Sequence, residues 1–418
     1  MKKLGYQAIW NTAGNAVYLF ALWLLTVITT RLLGYPAAGD LTLAMSVGNI
    51  FAIVQMFGVR SFQSSDVTFQ YSPGDYLCAR CVTVAGGGLL CLAAGLLLGY
   101  RGGILGTILL FLLFKTSESF SDVLFGDDQR MNHLELAGYS MLLRGVLTAG
   151  LFFAGAFYLR SLNAALLAAA AGVLALSLLY DLPLCRKTVR DCGAASGGIG
   201  GVLKNCFPLF LAALIPTAIT AVPRILLERS FGAELLGYYG NVSTPALLLT
   251  TVVPTILAAL LPGYGMSYAA GDYRAIRRTW LLSVLGTLVL SVICFLGALA
   301  LGRIVLSFVY TNSILPYVRY LYGILIAMTL YALTMCGSAA LVSMRESRAV
   351  TLSALLALLL CLAASFPLVH AYGIGGAIAA LAIPYGAQAL VQAAWILRVC
   401  RNGGRKQGNG KSRNGIRE

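Results

Sequence analysis

The sequence predicts an all-α polytopic membrane protein: twelve transmembrane helices in two six-helix lobes, related by pseudo-twofold symmetry around a central cavity. Three observations lead there. First, nine stretches of about twenty residues or more carry no charged side chain, and a bilayer core is crossed by ~20 apolar helical residues. Second, charged residues make up 11% of the chain, against ~25% in a typical soluble domain. Third, the Lys and Arg residues alternate between rich and poor loops in step with the apolar runs.

The clean runs are Ala8–Thr30, Leu41–Val59, Val82–Tyr100, Ser161–Tyr180, Leu235–Gly271, Thr279–Gly302, Tyr320–Met344, Ala349–Val369 and Ala371–Leu397. Three more runs are apolar with a few charges inside them: Gly102–Phe125, Leu136–Leu159 and Asn205–Leu227. The first run is too long for a secretory leader and has no small-residue cleavage site after it, so it reads as a retained span. No polar segment is long enough for a soluble catalytic domain.

The net charge of +15 raises the question of nucleic acid, and the distribution of the cations argues against it. Of the 30 basic residues, 21 fall at the termini and even-numbered loops, 7 at the odd-numbered loops, and Lys115 and Arg144 within spans. Positive residues are retained on the cytoplasmic side, so both termini are expected there. An even number of spans puts both termini on one side, in agreement with this. None of the ten cysteines falls in an outer loop, so no disulfide is implied. Cys78-Ala79-Arg80-Cys81 has the spacing of a metal or redox pair. With no second pair and no histidine beside it, two reduced thiols are the better reading.

Four segments are expected. Residues 1–182 form the first lobe, 183–204 a Gly-rich cytoplasmic linker, 205–398 the second lobe, and 399–418 a basic, disordered tail drawn to anionic lipid heads. Gly197 to Gly201 follows a membrane helix rather than a strand, so a linker is favoured over a phosphate loop. The lobes look like repeats. Arg31-Leu32-Leu33-Gly34 followed by Gly39, and Arg229-Ser230-Phe231-Gly232 followed by Gly237, both read R-x-x-G-x4-G. Two such lobes of even helix number share an orientation and can rock about a cavity. Pro208, Pro216 and Pro223 in the seventh span, with Pro245, Pro254 and Pro262 in the eighth, point to bending there.

Charges inside the membrane are costly, and each is a candidate functional residue. Lys115, Glu118 and Asp122 fall within about 60° of arc on one helix. They can pair structurally at i, i+3, or they can line a polar cavity in which Glu118 or Asp122 binds a proton or cation. Arg144 has no acid one helical turn away, and a planar guanidinium suits a phosphate or diphosphate. Arg224 has Glu228 at i+4, so local pairing competes with a ligand role. Arg31 and Arg60 sit at helix ends, where interfacial anchoring is the default. No catalytic motif, metal cluster or nucleotide-binding loop occurs, and the two histidines, His133 and His370, are expected on opposite membrane faces. The chain reads as neither an enzyme nor a cofactor protein. Any coupled energy would come from an ion or substrate gradient.

Four segments carry a family resemblance. They are Thr30-Arg31-Leu32-Leu33-Gly34 with Gly39, then Gly126-Asp127-Asp128-Gln129-Arg130-Met131, then Phe207-Pro208-Leu209-Phe210 through Gly232 and Gly237-Tyr238-Tyr239, and finally Tyr372 to Ala379. In this order they resemble bacterial polysaccharide flippases of the O-antigen type, of the multidrug/oligosaccharidyl-lipid/polysaccharide exporter superfamily. The likeness spans almost the whole chain. Family members often have an acid before the late arginine of helix seven, where this chain has Pro223 before Arg224. In the related lipid II flippases, cavity arginines stand near the end of helix one and in helix two, which Arg31 and Arg60 match by spacing. The resemblance implies flipping of a polyprenyl-diphosphate-linked glycan across the bacterial cytoplasmic membrane for cell-surface polysaccharide synthesis. It implies Arg31, Arg60, Arg144 and Arg224 as diphosphate candidates. The implied partners are membrane lipids, H+ or Na+, a polysaccharide polymerase and glycosyltransferases, with no nucleic acid. The competing readings are a cation-coupled multidrug exporter on the same fold, and a membrane scaffold or glycosyltransferase.

Overall fold

The computed structural model describes residues 2–66, 68–189 and 198–414. Arg190, Cys192 and Gly197 of the expected linker lie outside the described residues. Among those described, every element is helical. They are α1 (Lys2–Met56), α2 (Val59–Ser65), α3 (Pro73–Leu97), α4 (Gly102–Arg130), α5 (Leu134–Leu159), α6 (Leu162–Leu176), α7 (Leu182–Thr188), α8 (Ile199–Phe231), α9 (Ala233–Ser243), α10 (Leu247–Ala269), α11 (Tyr273–Val309), α12 (Arg319–Ser343), α13 (Ser347–Tyr372) and α14 (Ile374–Asn414).

Eleven helical segments are long and apolar enough to cross a membrane. The first, Ile9–Ser65, runs for 57 residues, twice what a bilayer needs. Its backbone breaks at Gly34, with φ 89° and ψ 177°. That conformation is open to glycine and poor for other residues, so the segment is two spans and the total becomes twelve. The protein is a multi-pass membrane protein.

Helix starts follow local chemistry. The Ser72 hydroxyl accepts from the Asp75 amide at 3.0 Å, and the Asp75 carboxylate accepts from the Ser72 amide at 3.1 Å. With Pro73 at the first helical position, this is a reciprocal cap. Asp272 caps α11 by accepting from the Arg274 and Ala275 amides. Between α6 and α7 the helix continues through one π-helical turn, Ser177–Asp181. The last helix, α14, is described as far as Asn414. Residues 415–418 lie outside the described residues.

Contacts divide the chain into two compact units, Met1–Asn241 and Val242–Glu418. The packing boundary therefore falls inside the eighth span, beyond the 183–204 linker. α8 packs with the first unit because Phe210 stacks on Phe57 with centroids 4.6 Å apart. In this unit α1 and α5 meet backbone to backbone at Gly14 and Gly138, where a methyl group on either would overlap the other helix. Without a hydrophobic drive between helices in lipid, small residues that allow such approach decide which helices touch.

The second unit has a core of Val253, Leu257, Tyr264, Ile276, Trp280, Ala332, Cys336 and Ile396 among others. Gln392 donates to Ser338 at 3.0 Å and Ser353 at 3.2 Å within it. Among the described residues, the ion pairs all lie in the first unit.

Candidate functional site

The helical spacing on α4 places Lys115, Glu118 and Asp122 on one face, and the structure turns that face into the bundle. Lys115 Nζ donates to both Glu118 oxygens, at 2.8 and 2.9 Å. The Tyr18 hydroxyl of α1 donates to the same carboxylate. Gly145 of α5 lets α1 come close here: a methyl group on it would fall 3.1 Å from the Tyr18 backbone. One turn further, Asp122 takes a bond from Arg80 Nη2 at 2.9 Å and an ion pair with Arg60 Nη1 at 3.5 Å. Arg60 stays 28% exposed and lies over the Phe125 ring.

Arg144 belongs to a second network. It pairs with Asp181 at 3.1 Å and donates to the Ser177 hydroxyl at 3.0 Å and to Ser121. Asp181 and Ser177 are the ends of the π-helical turn. An extra residue in a helical turn rotates the residues beyond it, and such turns recur at functional sites. Here the turn aims both groups at one guanidinium. Arg144 is therefore not without an acid, as its own helix suggested. The partner comes from a different span, which helix-local spacing cannot reveal. Its Nε and Nη1 remain buried with no hydrogen-bond partner.

The two networks meet at a cavity of about 60 Å³, lined by Tyr18, Met56, Arg60, Glu118, Asp122 and Arg144 among others. Five of the seven residues singled out in the sequence thus converge: four line the cavity, and Lys115 is bonded to Glu118. The volume decides what fits. Sites for drug-sized ligands run to ~300–1,000 Å³, whereas one water needs ~10–15 Å³. At this size the cavity holds a small ion or a few waters.

Arg31 and Arg224 are elsewhere. Arg31 is exposed just before the Gly34 break. Arg224 lies over the Tyr239 ring at 5.7 Å. The expected local partner, Glu228, accepts instead from the Tyr100 hydroxyl at 3.2 Å.

Sequence reasoning missed Arg80, Asp181 and Tyr18. Arg80 was counted with the cytoplasmic cations, yet it is fully buried. The signal was present: the Ser72–Asp75 cap starts α3 nine residues before the charge-free run, which draws Arg80 into the span on the same face as Tyr76, Thr83 and Gly87. No group of three or more His, Cys, Asp or Glu able to hold a metal occurs among the described residues.

No protein-family model and no curated protein matches this sequence. Solved structures do. The MATE multidrug transporter DinF-BH, in complex with rhodamine 6G, superposes with a TM-score of 0.68 at 17% identity, over 95% of both chains. An inward-facing multidrug resistance MATE family transporter of the MOP superfamily gives 0.67 at 14% identity, again over 95% of each. A point mutant of the Vibrio cholerae MATE transporter VcmN gives 0.60 at 16%, over 96% of this chain and 99% of that one. The fold is that of the MATE transporters. At such identities the likeness extends to the MATE fold and no further.

Proposed function

We propose that this protein flips a polyprenyl-diphosphate-linked oligosaccharide across the bacterial cytoplasmic membrane by alternating access, with both termini cytoplasmic, in the assembly of a cell-surface polysaccharide. A polymerase and glycosyltransferases would act on either side of this step. One observation carries the substrate class. Four cations, Arg60, Arg80, Lys115 and Arg144, are joined by ion pairs to only three carboxylates, Glu118, Asp122 and Asp181. Arg60, partly exposed at the cavity, offers its guanidinium to an anionic headgroup and opposes a cationic cargo. In this reading Arg60, the most exposed of the four, meets the diphosphate as it passes. Arg31 and Arg224 guide it nearer the outer face, and the glycan travels in water while the prenyl tail stays in lipid.

The cavity itself is the size for a coupling ion. Glu118 is held by Lys115 and Tyr18, and loading it with H+, or the site with Na+, would change the balance of both networks at once. The alternative is a multidrug exporter, favoured by the structural neighbours, of which DinF-BH was solved with rhodamine 6G.

The test is leaflet accessibility of a polyprenyl-diphosphate-linked oligosaccharide in proteoliposomes, with and without the protein, beside a rhodamine 6G efflux assay. Protein-dependent exposure on the far leaflet, reduced roughly tenfold or more in Arg60→Gln, is the expected result, since a charge-assisted bond is worth ~1.5–3 kcal/mol. Rhodamine efflux without lipid movement would transfer the assignment to the drug exporter.

A further inference from the structure

The two R-x-x-G-x4-G segments are similar in more than sequence. Gly34 has φ 89° and ψ 177°, and Gly232 has φ 84° and ψ 171°, so both turns have the same backbone shape. Sliding the first copy by the 198 residues between Arg31 and Arg229 maps Tyr35 onto Ala233, Gly39 onto Gly237 and Thr42 onto Gly240. The contacts obey this map in both directions. A methyl at Gly39 would overlap the Ala233 carbonyl, and a methyl at Gly237 would overlap the Tyr35 carbonyl. Gly240 meets Thr42, its own counterpart. This is the self-complementary pattern of a twofold contact. It is fastened by Asn241, which donates to the Thr30 hydroxyl at 2.8 Å, and by Tyr35 stacked on Tyr238 with centroids 3.9 Å apart.

Immediately after this contact the span changes character. The first compact unit ends at Asn241. Pro245 has no amide hydrogen, so the Asn241 carbonyl loses its helical donor four residues on. Thr244–Ala246 is a single 3₁₀ turn, and α10 begins at Leu247.

We infer that the eighth membrane span is a two-part lever: α9 is anchored to the turn of the first repeat, and α10 swings from it about Thr244–Ala246, the hinge of the transport movement. Reciprocal backbone contact leaves no slack at the anchor, while the turn, where Pro245 cannot donate to the Asn241 carbonyl, bends with less loss than a regular helix. The inference rests on the transporter reading, and one arm of its test is independent of transport.

Both arms use the full chain in liposomes, with Cys78, Cys81, Cys192, Cys294 and Cys400 replaced by Ser. In the first, spin labels at Glu234→Cys and Val252→Cys bracket the turn. A straight α-helix puts 18 residues at about 27 Å. The expected distance distribution is broad and shorter than this, and Pro245→Ala narrows and lengthens it toward the straight-helix value. One narrow distribution, identical with and without Pro245→Ala, overturns the hinge whatever the cargo. In the second, Thr30→Cys and Asn241→Cys are oxidised to a disulfide. The cross-linked protein is expected to flip lipid-linked glycan as the reduced protein does, because an anchor does not move. Loss of flipping on oxidation, restored by reduction, would make the contact a gate and overturn the proposal.

Discussion

At the scale of residues, the buried charges are held in pairs, and the consequences of breaking a pair are large. Arg144 and Asp181 are 1% and 3% exposed. Asp181→Asn leaves an uncompensated guanidinium in the membrane, which costs ~3–5 kcal/mol for a buried pair. The double change Arg144→Met with Asp181→Leu removes both charges and should restore most of the thermal stability that either single change loses in detergent. Asp66 lies outside the spans, between α2 and α3. Burial alone would raise its pKa, yet bonds from the Gln70 and Tyr71 amides and the Tyr76 hydroxyl, with Arg130 beside it, hold its carboxyl below the usual range. A lowered folded pKa gives stability that is complete above the unfolded value and is lost only as pH falls through the folded one. The stability gap between native protein and Asp66→Asn should therefore be constant from about pH 8 to 5 and shrink below about pH 4, as followed by thermal melts across that range.

At the scale of elements, glycines decide which helix faces meet. Gly87 and Gly88 are neighbours in α3. A methyl on Gly87 would fall 2.7 Å from the Gln55 side chain and 3.2 Å from the Phe51 carbonyl, whereas one on Gly88 meets nothing within 4 Å. Gly87→Ala should lower the melting temperature by pushing α3 off α1, and should disturb Arg80, which bonds the Gln55 carbonyl at 2.6 Å. Gly88→Ala should be neutral or stabilising by under ~1 kcal/mol. Equal melting temperatures for the two would show that α3 does not sit on α1 along this face. The prolines divide the same way. Pro208, Pro216 and Pro223 are accommodated inside a continuous α8, while Pro245 interrupts its span. Composition alone treats these as equals; the difference is whether neighbouring turns still close.

At the scale of the whole molecule, the chain supplies its own reporters of orientation in the membrane. Cys78 and Cys81 are exposed at the start of α3, whereas Cys91, Cys185, Cys206, Cys336 and Cys361 are buried. With both termini inside, a membrane-impermeant maleimide should label Cys78 and Cys81 in inside-out vesicles and leave them unlabelled in right-side-out ones. The reverse pattern would invert the topology drawn from the Lys and Arg distribution.

The class of the protein and its twelve spans were legible in the sequence because hydrophobic length is a local property that a run of residues carries by itself. So was the α4 face, since helical period alone puts Lys115, Glu118 and Asp122 together. Which charges meet across helices was not legible. Arg144 finds Asp181 only because a π-helical turn rotates that carboxylate, Arg80 reaches Asp122 only because α3 begins at Pro73, and Arg224 leaves Glu228 to Tyr100. Partners such as these lie tens of residues away, and no spacing rule couples them. The packing boundary at Asn241 was equally hidden, because it is set by two glycine turns pressing backbone on backbone. Local chemistry thus determined the spans, and close packing between distant segments decided the site and the place where the molecule divides.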